Sequence, residues 1–159
     1  MKVTFAPRGI LQMDDVKLIF RNFEGRGSAF NREGDRNFAI AIFDEDLAKR
    51  LIDEGWNVKI KAPRDGDDTP RMHLAVKVKF NDRGPNVYLT SGSNKRKLDE
   101  EGIACLDYID IIEANVDIRP YDWEVNGKTG RTAYLQTLEV IQDTDRFAEK
   151  YAEEEFPCE

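Results

Sequence analysis

Hydrophobic and polar positions alternate with a period of two through most of this chain. Val16, Leu18 and Phe20 alternate with Lys17, Ile19 and Arg21, and Asn37–Phe43 forms a second run after a Gly-rich interruption. Trp56, Val58 and Ile60 alternate with Asn57, Lys59 and Lys61. The longest stripe is Met72, Leu74, Val76, Val78 and Phe80, opposed by His73, Ala75, Lys77 and Lys79. Asn86–Ser91 is a shorter run. A two-residue period predicts half-buried antiparallel strands with one wet face.

Turn residues punctuate these runs. Asn81-Asp82-Arg83-Gly84-Pro85 reads as a hairpin loop between two strands. Asn126-Gly127-Lys128-Thr129-Gly130 separates Val116–Val125 from Arg131–Ile141 in the same way. Pro120 breaks the first of those strands, and the apolar phase slips there from Val116 and Ile118 to Tyr121, Trp123 and Val125. That slip predicts a bulge or an edge position.

One segment has helical spacing instead. Asp44-Glu45-Asp46 supplies a cap and first-turn acids, Leu47, Leu51 and Ile52 an apolar face, and Gly55 a stop. Leu98–Tyr108 is a second short helical candidate, and Asp143–Tyr151 a third. The expected fold is therefore mostly β: a small barrel of five or more strands with one or two short helices. It occupies residues 1–142 and is followed by an acidic C-terminal tail, 143–159.

Composition narrows the function. The chain has 159 residues, enough for one domain. It carries 24 Lys and Arg against 31 Asp and Glu, a net charge of −7 that at face value disfavours a polyanion as partner. The charge is unevenly placed, however. Lys59–Lys97 holds ten Lys or Arg and four Asp, a local +6, while 143–159 holds seven acids and two bases. No apolar run suits a membrane span or a signal peptide, so a cytoplasmic chain with no membrane association is expected. Cys105 and Cys158 are far apart with no CxxC spacing and read as reduced thiols. His73 is the only histidine, which leaves no Cys/His metal set and no call for a cofactor.

The most informative segment is Arg21–Arg36, a long interruption between two expected strands. It contains Arg21, Arg26, Arg32 and Arg36 together with Phe23 and Phe30. Loops of more than about 12 residues are usually functional or disordered. Exposed Phe beside Arg is what a single-stranded nucleic-acid platform needs, because rings stack on bases while guanidinium groups pair with phosphates. Alternatively, Phe23 and Phe30 anchor the loop to the core. A second candidate is the basic middle: Lys59 and Lys61 share one strand face, Lys77 and Lys79 another, and Lys95-Arg96-Lys97 forms a loop cluster. If the strands are neighbours, the lysines make a strip that can follow a phosphate backbone. Tyr88, Tyr121 and Trp123 add stacking surface, whereas Trp56 belongs to the core stripe. Near the end, Glu153, Glu154, Glu155 and Phe156 read as a partner-docking peptide, an acidic mimic of DNA, or a solubilising tail.

Catalytic patterns are absent. Asn126-Gly127-Lys128-Thr129 contains a GKT but has Asp122 where a phosphate loop requires Gly, and it joins strands. Asp44-Glu45-Asp46 is explained by a helix start. His73 opposes the core stripe and reads as a sheet-surface histidine with no nucleophile beside it.

The strand, basic aromatic loop and strand of Lys17–Phe43 and the hairpin Ile118–Val140 resemble the small single-stranded DNA-binding proteins of phages and prophages. The resemblance covers most of the chain. It implies an OB-fold, a five-stranded barrel that takes oligonucleotides across one face and its flanking loops. It also implies a role in DNA replication or recombination, with an acidic tail that docks protein partners in the bacterial host cytoplasm. Here the tail aromatic, Phe156, is followed by Pro157, Cys158 and Glu159. The expectation is a non-enzymatic, sequence-tolerant binder of single-stranded DNA. Two rivals stand beside it: a phage-encoded inhibitor of a host enzyme or defence system acting by acidic mimicry, and a metal-dependent nuclease.

Overall fold

The structure is a computed structural model, and it describes residues 1–66, 68–82 and 84–144. Glu153, Glu154, Glu155 and Phe156 lie outside the described residues, as does the expected helix over 143–151 apart from Asp143 and Thr144, which are not helical. The strands are β1 (Lys2–Phe5), β2 (Leu11–Asp14), β3 (Leu18–Asn22), β4 (Arg36–Ile42), β5 (Val58–Lys61), β6 (Arg71–Val78), β7 (Asn86–Ser91), β8 (Asn94–Leu98), β9 (Ile111–Val125) and β10 (Lys128–Gln142). One α-helix, α1 (Glu45–Asp53), joins β4 to β5, and the second helical candidate is a 3₁₀ turn at Ile103–Asp107. The mostly-β expectation with one short helix holds.

All ten strands belong to one sheet, ordered β1-β2-β9-β10-β6-β4-β3, with β5 added to β6 and the β7–β8 hairpin added to β10. The core is the apolar stripe of each strand: Phe38, Ile40 and Ile42 of β4 face inward with Met72, Leu74, Val76 and Val78 of β6. Leu11, Met13, Val116, Ile118, Leu135, Leu138 and Val140 continue that core. Fully burying each such side chain contributes about 1.5–3 kcal/mol.

α1 starts where the sequence indicates. The Asp44 carboxylate accepts from the Asp46 and Leu47 amides at 2.9 and 3.4 Å. Its buried face is Ala48 and Leu51; Ile52, expected there, is exposed. The β9–β10 hairpin closes on Asn126 and Gly127, with φ of 52° and 78°, the two left-handed positions of a tight hairpin turn.

One expectation about pairing is corrected. The Asn81–Pro85 turn does not close a hairpin, because β6 and β7 do not pair with each other. Both run parallel to β10, at Ala133–Tyr134 and Thr137–Ile141 respectively. The ladder is unbroken at Pro120, which pairs with Ala133. Of the two alternatives for the slip of apolar phase there, the bulge is absent and the edge position holds: β2 accompanies β9 only as far as Ile118, so the missing N–H of Pro120 costs no ladder bond. Cys105 is not a free thiol, which corrects its reading as reduced; Cys158 lies outside the described residues.

Candidate nucleic-acid interface

The register of the central strands places small and basic residues together on the outer face of the sheet. Ala39 of β4 pairs with Ala75 of β6, and Asn37 with Lys77. On the other side of β6, Lys59 and Lys61 of β5 stand opposite His73 and Arg71. The two lysine pairs that the sequence placed on separate strands thus lie on adjacent ones. Further along, Tyr134 of β10 pairs with Lys77. The result is a groove of about 900 Å³ whose floor is Ala39, Ala75 and His73, with Arg32, Arg36, Lys59, Lys77 and Lys79 along it.

Two exposed aromatic rings line this groove. Phe30 is 100% exposed and Phe20 62%, and both line it. A side chain this large left wholly in water forgoes the stabilisation that burial would bring. Phe20 was expected on the buried stripe of its strand. The register of β3 shifts between Ile19 and Asn22, and Phe20 itself has φ of 50°, so the ring is turned outward. It meets His73 edge-on at 5.3 Å between centroids and carries the Lys61 ammonium 5.8 Å from its own.

A second depression of about 530 Å³ shares Lys59, Ala75 and Lys77 with the first and runs on to Trp123, Gly130 and Arg131. Trp123 lies across Gly130, its cross-strand partner, and a Cβ at that glycine would collide with the indole. Tyr121 packs edge-on against Tyr134 at 6.0 Å, and the Arg119 guanidinium sits 5.8 Å from the Tyr134 centroid. Arg131 braces this end: it pairs with Asp122 at 2.7 Å and donates to the Glu54 carbonyl at 2.8 Å. The hydrogen bond between them lowers the pKa of Asp122 and raises that of Arg131.

His73 is only 8% exposed, so the sheet-surface reading is right about its face but not about its accessibility. Burial, followed by the charges of Lys61 and Lys59, pushes its pKa below the usual histidine value. It is therefore neutral at neutral pH, and the positive charge of the groove comes from Lys and Arg.

Several expected contacts are not brought to the groove. Phe23 is fully buried and stacked on Phe38 at 5.1 Å, so it anchors the loop and presents no ring to a ligand. Arg21 is half-buried and donates to the carbonyls of Leu106 and Ile109 at 2.7 and 2.8 Å, a structural strut. Arg26 is drawn away towards Glu24 and Asp107, at 3.7 and 3.9 Å. Arg36 does line the groove, and its guanidinium pairs with Glu100 at 3.3 Å. Lys95, Arg96 and Lys97 are strand residues of β8, not a loop cluster. With Tyr88 of β7 they lie outside the groove lining, and Lys95 bridges to Glu139 at 3.6 Å. Phe20, Tyr134 and Arg119 were missed. Tyr134 could have been found from its place opposite Arg119 in a legible hairpin; Phe20 carries no sequence signal, since its outward turn is a backbone irregularity.

Among the described residues no three His, Cys, Asp or Glu side chains gather as a metal site requires, and no helix is long and apolar enough to cross a membrane.

Comparison with known proteins agrees with this architecture. Residues 2–158 match the phage ssDNA-binding domain family. The fold is similar to that of the single-stranded DNA-binding protein from bacteriophage Enc34 in three solved structures. The form in complex with ssDNA has a TM-score of 0.59 at 15% identity, covering 91% of this chain and 93% of that one. A C-terminal truncation gives 0.58 at 14% identity, with 90% and 91% covered. The third gives 0.53 at 18% identity, with 94% of each chain covered. No curated protein matches the sequence significantly.

Proposed function

The chain belongs to the phage ssDNA-binding domain family, and on that premise we propose that it holds a single DNA strand in the groove across β4, β6 and β10. This is a binding family and not an enzymatic one. The observation that carries the proposal is the pair of exposed rings, Phe20 and Phe30, standing over a floor edged by Arg32, Arg36, Lys59, Lys77 and Lys79. Rings that stack on any base, with cations that meet any phosphate, make a sequence-tolerant binder.

In this reading the strand passes from Phe30 over Ala75 to Tyr134, Tyr121 and Trp123. The sheet acts as an OB-type platform formed by residues 1–142. The acidic segment 143–159 docks replication or recombination proteins in the bacterial host. No cofactor enters this account.

The test is fluorescence anisotropy with labelled oligo-dT, its RNA counterpart and a duplex at several salt concentrations. Tight oligo-dT binding with log affinity falling linearly in log salt is expected. A flat salt response, or no binding at micromolar protein in low salt, would sink the proposal.

A further inference from the structure

Between β3 and β4 the chain makes a long excursion, 23–35, yet it is densely bonded. At its root, the Asn22 side-chain oxygen accepts from the Gly25 and Arg26 amides at 3.1 and 2.9 Å, and its amide group donates to the Arg26 carbonyl at 3.1 Å. Halfway up, the Gly34 amide donates to the Gly25 carbonyl at 2.8 Å. At the tip, Ser28 and Asn31 exchange backbone hydrogen bonds of 2.8 and 3.4 Å around Ala29 and Phe30.

Asn31 joins these layers. Its side-chain amide nitrogen lies 2.8, 3.2 and 3.0 Å from the carbonyls of Arg26, Arg32 and Asp35, which share its two N–H donors. Its side-chain oxygen accepts from the Asn37 amide group at 2.8 Å, and Asn37 belongs to β4, opposite Lys77. One residue's side chain thus ties the tip of the loop, both of its arms and the groove floor together. A primary amide offers two donors and an acceptor at once, which neither a carboxylate nor an aliphatic side chain can. The ring of the adjacent residue, Phe30, stacks on no other ring among the described residues and is fully exposed.

We propose that Asn31 is a positioning residue for single-stranded DNA: by clamping the loop it holds Phe30 over the groove before the strand arrives. This rests on the groove reading above. A loop that had to be ordered on binding would spend part of the stacking energy on that ordering; a clamped one does not.

The test is a double-mutant cycle on the full chain, with oligo-dT affinity as one readout and thermal unfolding as the other. Phe30→Ala should weaken binding roughly tenfold by removing a stacking face. Asn31→Ala should weaken it by a smaller factor, roughly three- to tenfold, with a melting temperature within a few degrees of the parent. Most tellingly, Asn31→Ala should have no further effect in the Phe30→Ala background. If Asn31→Ala melts early, Asn37→Ala, which removes the tie between Asn31 and β4 together with a 3.3 Å bond to the Asp35 carbonyl but leaves the Asn31 donors in place, is expected to show the same loss of coupling. Asn31→Ala that binds like the parent overturns the proposal. So do Asn31→Ala and Phe30→Ala losses that simply multiply, because Asn31 would then act on binding without Phe30. If the unmodified chain does not bind oligo-dT, the groove reading fails and takes this proposal with it; that outcome is distinct from either of the others.

Discussion

Phe23 and Phe30 sit in one loop, each flanked by Arg and Gly within three residues, and have opposite fates. Phe23 is fully buried against Phe38, and the amides of Phe23 and Glu24 are capped by the Asp107 carboxylate at 2.8 and 3.0 Å. Phe23→Ala should cost about 3–5 kcal/mol in urea denaturation, the usual range for a large core deletion. Phe30→Ala should leave the denaturation midpoint where it is and weaken oligo-dT binding instead. Local sequence could not separate the two, because the group that pins Phe23 comes from a residue 84 positions later. Phe20 shows the same limit differently: its alternation is legible, but a positive φ overrides it. Tyr121 and Trp123 are legible as stacking candidates from the phase change at Pro120, but that both face outward follows only from the ladder, which runs on unbroken there.

At the scale of elements, what matters is which strands are neighbours. Alternation assigns Lys59, Lys61, Lys77 and Lys79 to wet faces, but only the β5–β6 and β4–β6 registers make those faces one. Neutralising Lys59 and Lys77 should therefore reduce the salt slope of oligo-dT binding by about 0.7 for each lysine removed. The same change at Lys95 and Lys97 of the β7–β8 hairpin should leave it unaltered. His73 lies where β5 meets β6, and its lowered pKa has a thermodynamic sign. The unfolded chain takes up its proton more readily, so stability falls as pH drops below about 6.5. Thermal unfolding between pH 7.5 and 6 should show that decline, and His73→Gln should flatten it. The β9–β10 hairpin and α1 were legible because Asn-Gly and an Asp cap are local signals. The short β1 and β2 were not, since four residues each carry too little pattern, and they are held by pairing with each other and with β9.

At the scale of the molecule, the net charge of −7 conceals a polarised chain: residues 143–159 carry −5 of it, and removing them leaves −2. Like charges repel, and salt screens that repulsion beyond about a Debye length. Deleting 143–159 should raise oligo-dT affinity at low salt, and the gain should vanish as salt is raised. The uneven charge was legible from composition alone; its meaning required the groove. The central claim, that a single strand lies across β4, β6 and β10, is tested most directly by mapping backbone amide shifts by NMR as oligo-dT is titrated in. The largest changes are expected at Phe20, at 30–39, at 59–61, at 73–79 and at 121–134. Changes gathered instead on β7 and β8, with the groove residues unmoved, would contradict it.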